Sequence, residues 1–550
     1  KPLADNGIKQ ITFGTDGWRG VIAADFTFDN VRLVTQAVCD YVLAESRERR
    51  AERKNKYSST EGAAAQMTKN GSASPDPSPP RGEDKGEGAT PQMTKNGSAS
   101  PDPSPPRGED KGEGATPTLV IGYDTRFLSD KFAREAACVA AANGIKVLLT
   151  DSFAPTPAVS YAVVDHKTDG AVVFTASHNP YKYNGLKFKA SYGGSASPVA
   201  TGAIEKCLRK NIAAGRQPLL VDFDEAVRDG SIELFDPKTP YLARLAELVN
   251  TDIIRNKQMG VVVDPMYGAG QGYLREFFQA AGCLVREIHD RRDPYFGGVA
   301  PEPLGANLED LSRAVSVEFP LGVALDGDAD RVNAVDVTGD FINPHRIFAL
   351  VLQYLYEVKG LSGDVVKTVS TTGLIDLMAA AYGLHLHETP IGFKYICDRM
   401  IGGDVMIGGE ESGGIGVKGH LPERDGMLIG ALLTEMMNYY GKPLGQIYAD
   451  LETKHGVFLY DRTDVEIDED HRDAILGYLE RFNPSELDGV VVDATNTTDG
   501  FKFCLADASW LMIRPSGTEA VVRIYAEAGS RTRVEQLLAR GGTIIKEALA

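Results

Sequence analysis

Short apolar runs alternate with stretches of helix length along most of the chain, a pattern typical of layered α/β structure. Three of these runs, residues 171–174, 261–263 and 322–325, pass directly into polar loops. Each run predicts a buried strand, and ligands in open α/β sheets collect at the carboxyl ends of strands. We therefore predict three related α/β domains, with at least two of the polar loops facing one cleft.

The last hundred residues follow a different pattern. Residues 500–504, 510–513 and 521–526 read as strands around a polar loop, which indicates a separate C-terminal α+β domain. The predicted domains are residues 1–212, 213–316, 317–452 and 453–550, and the third includes both the acidic loop and the glycine-rich loop described below.

A tandem repeat interrupts the first domain. Residues 66–91 are repeated letter for letter by residues 92–117, between a helix-like stretch and a strand-like run at 118–123. The repeated unit contains no Leu, Ile, Val or aromatic residue, so stacked copies would bury almost no apolar surface. Pro, Gly, Ser and charged residues dominate, and this composition predicts a disordered, solvated insertion at 66–117.

Composition and charge narrow the class of protein. The formal net charge is −18, which argues against nucleic acid as a partner because phosphate backbones bind basic surfaces. No apolar run approaches the ~18 residues of a membrane span. Six scattered cysteines without a CxxC pair predict reduced thiols in a cytoplasmic protein. An anionic substrate would need a local cationic pocket.

Ser177 lies in the first candidate motif, Thr-Ala-Ser-His-Asn-Pro at residues 175–180. A serine placed after a buried strand, in a turn closed by Asn-Pro, is presented away from the sheet. His178 can hydrogen-bond the loop or a substrate, and Lys187 can place a cation beside the serine. A plain turn with a capping serine is the alternative. A serine hydrolase is disfavoured because no GxSxG elbow is present.

Three carboxylates at alternate positions, Asp326, Asp328 and Asp330, form the second motif. They can converge on a hard divalent cation, and Mg²⁺ fits best because it takes a few carboxylates plus a phosphate oxygen. An EF-hand is disfavoured, since Arg331 and Val337 stand where that loop needs Gly and Glu. An acidic solvated turn is the remaining alternative.

Two further loops are weaker signals. Residues 409–414, Gly-Glu-Glu-Ser-Gly-Gly, offer carboxylates and a hydroxyl to sugar hydroxyls, and residues 514–519, Arg-Pro-Ser-Gly-Thr-Glu, offer a guanidinium and hydroxyls to an anionic phosphate. Taken alone, residues 409–414 are better explained as an ordinary glycine-rich turn, and residues 514–519 are explained equally well as a surface turn.

In this order and spacing, the four motifs resemble those of the α-D-phosphohexomutase family of phosphoglucomutases and phosphomannomutases. Residues 13–20, Phe-Gly-Thr-Asp-Gly-Trp-Arg-Gly, are similar to the family's N-terminal signature. The resemblance extends to the last strands and omits only the tandem insertion. It implies four domains around a central cleft, three related α/β domains and a smaller C-terminal α+β domain.

The resemblance also implies a role for each candidate residue. Ser177 would carry the phosphoryl group, and Mg²⁺ would be held by Asp326, Asp328 and Asp330 with a phosphoserine oxygen. The implied catalytic cations are Arg19, Lys187 and Arg331, with Lys187 as acid/base and His178 beside the serine. The implied substrate contacts are Glu410, Ser412, Lys394, Arg514, Ser516, Gly517 and Thr518.

The implied reaction interconverts hexose 1-phosphate and hexose 6-phosphate through glucose 1,6-bisphosphate, which also serves as activator. Gly414 stands where some dual-specificity members have a histidine. We expect a glucose preference, with mannose as the near alternative and glucosamine less favoured, in a monomer or homodimer. A phosphatase and a non-catalytic sugar-phosphate sensor are the alternatives outside the mutases.

Overall fold

The computed structural model describes residues 11–13, 17–67, 116–257, 259–516 and 520–550, without the side chains of residues 50–67, 257 and 469. The tandem repeat, for which the sequence predicts disorder, therefore lies outside the described residues except at its two ends. Among the described helices, none is long and apolar enough to cross a bilayer.

The first domain is a six-stranded sheet in the order β1-β5-β4-β2-β3-β6, with β2, β3, β4 and β6 parallel. Its central strands β2, β3 and β4 are largely apolar because helices cover both faces of the sheet. Residues beyond the predicted end at 212 still belong to this sheet, as β6. The elements are β1 (Trp18–Val21), α1 (Phe28–Met67), β2 (Thr118–Tyr123), α2 (Ser129–Ala142), β3 (Lys146–Thr150), α3 (Thr156–Asp165), β4 (Gly170–Phe174), β5 (Tyr183–Ala190), α4 (Pro198–Ala213), α5 (Phe223–Arg228) and β6 (Ile232–Phe235).

The second domain is a five-stranded sheet in the order β11-β10-β9-β7-β8. The acidic loop connects β9 to β10, and β9 pairs in parallel with β7. The predicted boundary at 316/317 falls inside this sheet, so the acidic loop belongs to the second domain and not to the third. The elements are α6 (Lys238–Leu248), α7 (Thr251–Lys257), β7 (Val261–Asp264), α8 (Tyr273–Ala280), β8 (Val285–Glu287), α9 (Glu309–Ala314), β9 (Leu321–Leu325), β10 (Val332–Asp336) and β11 (Phe341–Ile342).

The third domain has a four-stranded sheet in the order β13-β12-β14-β15. The glycine-rich loop joins the antiparallel pair β14 and β15. The last helix continues past the predicted boundary at residue 452. The elements are α10 (Pro344–Gln353), β12 (Asp364–Thr368), α11 (Leu374–Tyr382), β13 (Leu386–Thr389), α12 (Phe393–Gly402), β14 (Val405–Gly409), β15 (Ile415–Val417), α13 (Gly426–Tyr440) and α14 (Leu444–His455).

The C-terminal domain is an antiparallel six-stranded sheet, β16-β21-β20-β19-β18-β17, packed against two helices. The three strands predicted in this region are confirmed, as is the α+β character of the domain. The elements are β16 (Leu459–Glu466), α15 (Arg472–Leu479), β17 (Glu486–Leu487), β18 (Val490–Asn496), β19 (Phe501–Leu505), β20 (Trp510–Pro515), β21 (Val521–Ala528) and α16 (Arg531–Leu549).

Hydrophobic cores connect these domains unequally. One continuous buried cluster runs through the second and third domains, while the first and fourth domains have their own main cores. Val369 of the third domain packs with Trp510, Met512 and Tyr525 of the fourth in a small separate cluster. The fourth domain is therefore attached through few apolar contacts, which is the arrangement expected of a domain that moves relative to its neighbours.

Candidate active site

The serine loop, residues 175–180, follows β4 directly. Ser177 is only 1% exposed and adopts a left-handed backbone conformation with φ 50°. Such a conformation is unusual for a non-glycine residue and is kept where the surrounding structure enforces it. The Ser177 hydroxyl Oγ donates a hydrogen bond to Asp326 Oδ2 at 2.7 Å. The serine loop of the first domain and the acidic loop of the second are thus in direct contact.

A glycine makes this contact possible. A Cβ at position 327 would overlap the carbonyl oxygen of Ser177. The acidic loop is also tied to its neighbours, since Asp328 accepts a hydrogen bond from the Thr156 hydroxyl at 2.6 Å and its carbonyl accepts from the Thr156 amide at 2.9 Å. The acidic loop is therefore held by both backbone and buried side-chain hydrogen bonds.

The three aspartates of the acidic loop have the properties of a cation site. Asp326, Asp328 and Asp330 are fully buried, and one carboxylate oxygen from each lies within 4.8 Å of the others. Oδ1 of Asp328 and of Asp330 has no hydrogen-bond partner among the described residues. Unpartnered buried carboxylate oxygens are costly, and a hard divalent cation is the natural partner for them. The donor set therefore fits Mg²⁺.

The electrostatics of these carboxylates reflect their crowding. Burial, followed by the charges of Asp330 and Asp328, raises the pKa of Asp326 well above its ordinary value. Burial also acts to raise the pKa of Asp328, but the Lys187 ammonium, the Thr156 hydroxyl and Arg424 together outweigh it, and the pKa of Asp328 is lowered. Lys187 Nζ lies 2.9 Å from Asp328 Oδ2 and 3.0 Å from Asp330 Oδ2.

Further cations and one histidine surround the serine. Arg19, in β1, donates to the Asn179 side chain at 2.8 Å, and Arg331 directs its backbone amide to Asp326 at 3.1 Å. Burial, then the charges of Arg331 and Arg19, lower the pKa of His178 well below its ordinary value. The imidazole of His178 is therefore neutral, and its Nδ1 has no hydrogen-bond partner in the described part of the chain.

The glycine-rich loop presents its carboxylates toward the same region. Glu410 is 5% exposed, and burial raises its pKa to about 7 although Arg424 acts to lower it. Glu411 accepts a hydrogen bond from the Thr368 hydroxyl at 2.9 Å. Ser412 lies half-buried in the turn between them and β15.

The loop after β20 is held by a residue that links two domains. Arg514 Nε donates to Asp499 Oδ1 at 2.8 Å, and Asp499 Oδ2 accepts from the Ile391 amide of the third domain at 2.9 Å. Ser516 is buried, and its amide donates to the Val521 carbonyl. Gly517 and Thr518, which the sequence predicts as phosphate contacts, lie outside the described residues.

Lys394 is the last of the predicted substrate contacts. It lies in the first turn of α12, where its Nζ is 5.1 Å from the ring centroid of Tyr395. Within the described part of the chain, the structure brings together the serine loop, the acidic loop, Lys187 and Arg331, and it connects the glycine-rich loop to them. Lys394 makes no hydrogen bond or ion pair with them among the described residues.

Comparisons with known proteins agree with this arrangement. Profiles of the phosphoglucomutase/phosphomannomutase family match the chain over its α/β/α domain I (residues 109–214), domain II (239–339), domain III (343–455) and C-terminal domain (466–540). The phosphoglucomutase of Komagataeibacter xylinus is 31% identical over 445 residues, which are 74% of this chain and 80% of that protein. This chain belongs to the phosphoglucomutase/phosphomannomutase family. It is therefore a mutase, an enzyme of the isomerase class.

Other members of the family carry different names. The phosphoglucomutase/phosphomannomutase of Thermococcus kodakarensis is 30% identical over 78% of this chain and 90% of that protein. A phosphoglucosamine mutase of Methanococcus maripaludis is 28% identical over 78% and 92%. A crystal structure described as a putative phosphomannomutase from Thermus thermophilus superposes with a TM-score of 0.75 at 30% identity, covering 98% of this chain and 99% of that one. The predicted family and its four-domain fold are confirmed.

Arg126 belongs to the active site of this mutase but was not predicted from the sequence. It is fully buried after β2, and its guanidinium donates to Asp124 Oδ2 and to four carbonyl oxygens around Ser177. Those carbonyls belong to Ser177, Asn179, Pro180 and Tyr183, at 2.6, 2.7, 3.1 and 3.1 Å. The available signal was an Asp-x-Arg placed directly after a predicted strand, at the edge where the serine loop also emerges.

Arg424 is the second missed residue of this mutase. It lies in the turn before α13, where the next residue, Asp425, caps the helix. Its guanidinium binds Asp330 Oδ2 at 2.8 Å and Glu410 Oε2 at 3.1 Å. A Cβ at Gly414 would overlap Cδ of Arg424. Arg424 thus connects the acidic loop with the glycine-rich loop and fills the space beside Gly414.

Proposed function

We propose that this mutase interconverts hexose 1-phosphate and hexose 6-phosphate through a phosphorylated Ser177, with glucose phosphates as the preferred substrates. The observation that supports this most directly is the 2.7 Å hydrogen bond between Ser177 Oγ and Asp326. It places the buried hydroxyl of Ser177, whose backbone is left-handed, beside three carboxylates and the Lys187 ammonium. Phosphoryl transfer depends mainly on positioning and on charge neutralisation, and this arrangement supports both.

Asp326, Asp328 and Asp330 are the proposed ligands of Mg²⁺, and the unpartnered oxygens of two of them support this assignment. When bound, Mg²⁺ supplies neutralisation of the charge on the transferring phosphoryl oxygens. Arg331 and Arg19 add positive charge around the same loop, and neutral His178 is placed to hydrogen-bond without adding charge.

The proposed transfer has two symmetrical halves. In the first, the bond between Ser177 Oγ and phosphorus breaks while a free sugar hydroxyl forms a bond to phosphorus. The Lys187 ammonium gives a proton to Ser177 Oγ as its Nζ takes the proton of that hydroxyl, so Lys187 keeps its charge. The product is a hexose 1,6-bisphosphate, which must reverse its orientation within the cleft. In the second, the bond between the other phosphoryl group and its sugar oxygen breaks as Ser177 Oγ forms a bond to phosphorus, and Lys187 relays the proton of the serine hydroxyl to the sugar oxygen released. Lys187 is 2% exposed, which limits the access of water to this step.

The remaining loops are proposed to hold the sugar and its second phosphate. Glu410 and Ser412 are the proposed contacts to sugar hydroxyls, and Arg514, Ser516, Gly517 and Thr518 the proposed clamp on the phosphate that is not transferred, with Lys394 as a further contact. The bridge from Arg514 through Asp499 to the Ile391 amide supports a clamp that closes when the fourth domain meets the third.

A parallel assay of three sugars tests the proposal. The purified protein, with Mg²⁺ and a trace of glucose 1,6-bisphosphate, is given glucose 1-phosphate, mannose 1-phosphate or glucosamine 1-phosphate, and 6-phosphate product and free phosphate are both measured. We expect conversion without free phosphate, lost in Ser177→Ala. Free phosphate as the main product would contradict the mutase reaction.

Phosphomannomutase activity is the second candidate. Gly414 leaves the end of the glycine-rich loop without a side chain, and the Arg424 guanidinium occupies the adjoining space. The discrimination between a 2-hydroxyl above and below the sugar ring would then depend on Glu410 and Arg424. A larger kcat/KM for mannose 1-phosphate than for glucose 1-phosphate in the same assay would favour this candidate.

A further inference from the structure

A second group of metal-ligand side chains lies at the far end of the third domain's sheet. It consists of Asp364, the first residue of β12, with His385 and His387, which stand on either side of the first residue of β13. The opposite end of β12 is Thr368, which binds Glu411 of the glycine-rich loop. A strand rises about 3.3 Å per residue, so four residues separate this group from the sugar loop by roughly 13 Å.

The three side chains converge on one point. Alternate residues of a strand project from the same face, so His385 and His387 are neighbours, and Asp364 lies beside them on the paired strand. His387 Nε2 is 2.7 Å from Asp364 Oδ2 and 3.0 Å from His385 Nδ1, and His385 Nδ1 is 3.7 Å from Asp364 Oδ2. One ligand atom of each residue therefore forms a triangle.

The three atoms are close enough to share a hydrogen bond or a cation. One N–H of His387 Nε2 shared between Asp364 Oδ2 and His385 Nδ1 is the arrangement without metal. A cation bound to all three atoms takes the place of that proton. Tetrahedral Zn²⁺ with bonds of about 2.0–2.1 Å places its ligand atoms about 3.3 Å apart, and the three observed distances fall on either side of that value.

We propose that Asp364, His385 and His387 bind one divalent transition-metal cation of the Zn²⁺ class, independently of the catalytic cleft. The His385 side chain is 69% exposed, which leaves the fourth coordination position open to water. The bound cation joins the edge strand β13 to β12. Because β13 leads to Ile391, which binds Asp499 of the fourth domain, the cation stabilises the strand on which that domain docks.

Zn²⁺ titration of the full-length protein in excess Mg²⁺, which occupies the acidic loop, tests this site. We expect one Zn²⁺ site whose affinity falls at least about 100-fold in His387→Gln and in His385→Gln, since even the loss of a residue behind a ligand costs about 10–100-fold. The matched control is His166→Gln, an exposed histidine 4.0 Å from Asp165, which should bind Zn²⁺ as the wild type does.

A spectroscopic measurement identifies the ligands. In excess Mg²⁺, one equivalent of Cu²⁺ should give an electron paramagnetic resonance spectrum with couplings to imidazole nitrogen, and both variants should lose them. Mutase activity in Mg²⁺ should be equal in all four proteins, which separates this site from the proposed reaction. Equal Zn²⁺ affinity in His387→Gln and His166→Gln, or a Cu²⁺ spectrum with oxygen ligands only, would overturn the proposal.

Discussion

Replacing Arg126 by lysine should remove hydrogen bonds that hold the serine loop in place. All five N–H groups of this guanidinium are used, one on Asp124 and four on carbonyls of the loop that carries Ser177. Lysine has three N–H donors, so at least two of the five hydrogen bonds are lost. A hydrogen bond from a charged group contributes about 1.5–3 kcal/mol, and three of the five are only part-buried, so we expect a loss of about 2–6 kcal/mol of unfolding free energy.

The catalytic effect should be separable from this loss of stability. A displacement of the reacting group by ~1 Å can cost about 100-fold in rate, so kcat should fall by about that factor while KM changes little. The assays are urea unfolding, steady-state kinetics below the unfolding transition, and the rate at which glucose 1,6-bisphosphate phosphorylates Ser177.

The matched control is Arg49→Lys in the same domain. Arg49 pairs with Asp169 at 2.9 Å but is 39% exposed, so its replacement should cost less than ~1 kcal/mol and leave kcat unchanged. Wild-type kcat and phosphorylation rate in Arg126→Lys would refute the positioning role, even if the protein were destabilised.

Three further predictions concern the metal, the glycine-rich loop and a buried histidine. Asp328→Asn should weaken the apparent affinity for Mg²⁺ at least about 10-fold, measured as activity against Mg²⁺ concentration after chelation; an unchanged Mg²⁺ dependence would contradict its role as a ligand. Gly414→Ala should cost about 1–3 kcal/mol by displacing Arg424, measured by urea unfolding against Gly202→Ala, where a Cβ meets open space. Burial, then Lys367 and Lys502, lower the pKa of His345 to about 3. As the pH falls, the imidazole of residue 345 is therefore protonated in the unfolded chain before it is protonated in the folded one. The free energy of unfolding should then fall below a pH of about 6.5, by up to about 1.4 kcal/mol per pH unit. His345→Asn should have a shallower decline in unfolding free energy between about pH 6.5 and pH 4.5, and an unchanged slope would exclude this histidine as its source.

Local patterns predicted the elements that carry the motifs. The apolar runs before the serine, acidic and second-domain loops became β4, β9 and β7, because a continuous apolar run bounded by polar turn residues is buried on both faces. The motifs at the ends of these runs were sufficient to predict the family and, through it, the four domains. The acidic loop was assigned to the wrong domain because the pairing of β7 with β9 joins strands far apart in sequence.

Residues that connect two loops could not be recognised from the sequence pattern. Arg126 and Arg424 are single arginines in ordinary polar turns, and their partners lie up to 57 and 94 residues away. Asp499 likewise becomes informative only when its contacts with Arg514 and Ile391 are known. Motif reading identifies residues that share one loop, whereas contacts between loops depend on how the domains pack.

Covalent labelling is the sharpest test of the proposal that Ser177 carries the phosphoryl group. The protein is incubated with glucose 1,6-bisphosphate radiolabelled in its phosphates, separated from the sugar, digested, and the labelled peptide sequenced. We predict label on Ser177, transfer of that label to unlabelled glucose 6-phosphate on a second incubation, and no label in Ser177→Ala. Label on another residue, or full mutase turnover by Ser177→Ala, would show that Ser177 does not carry the phosphoryl group.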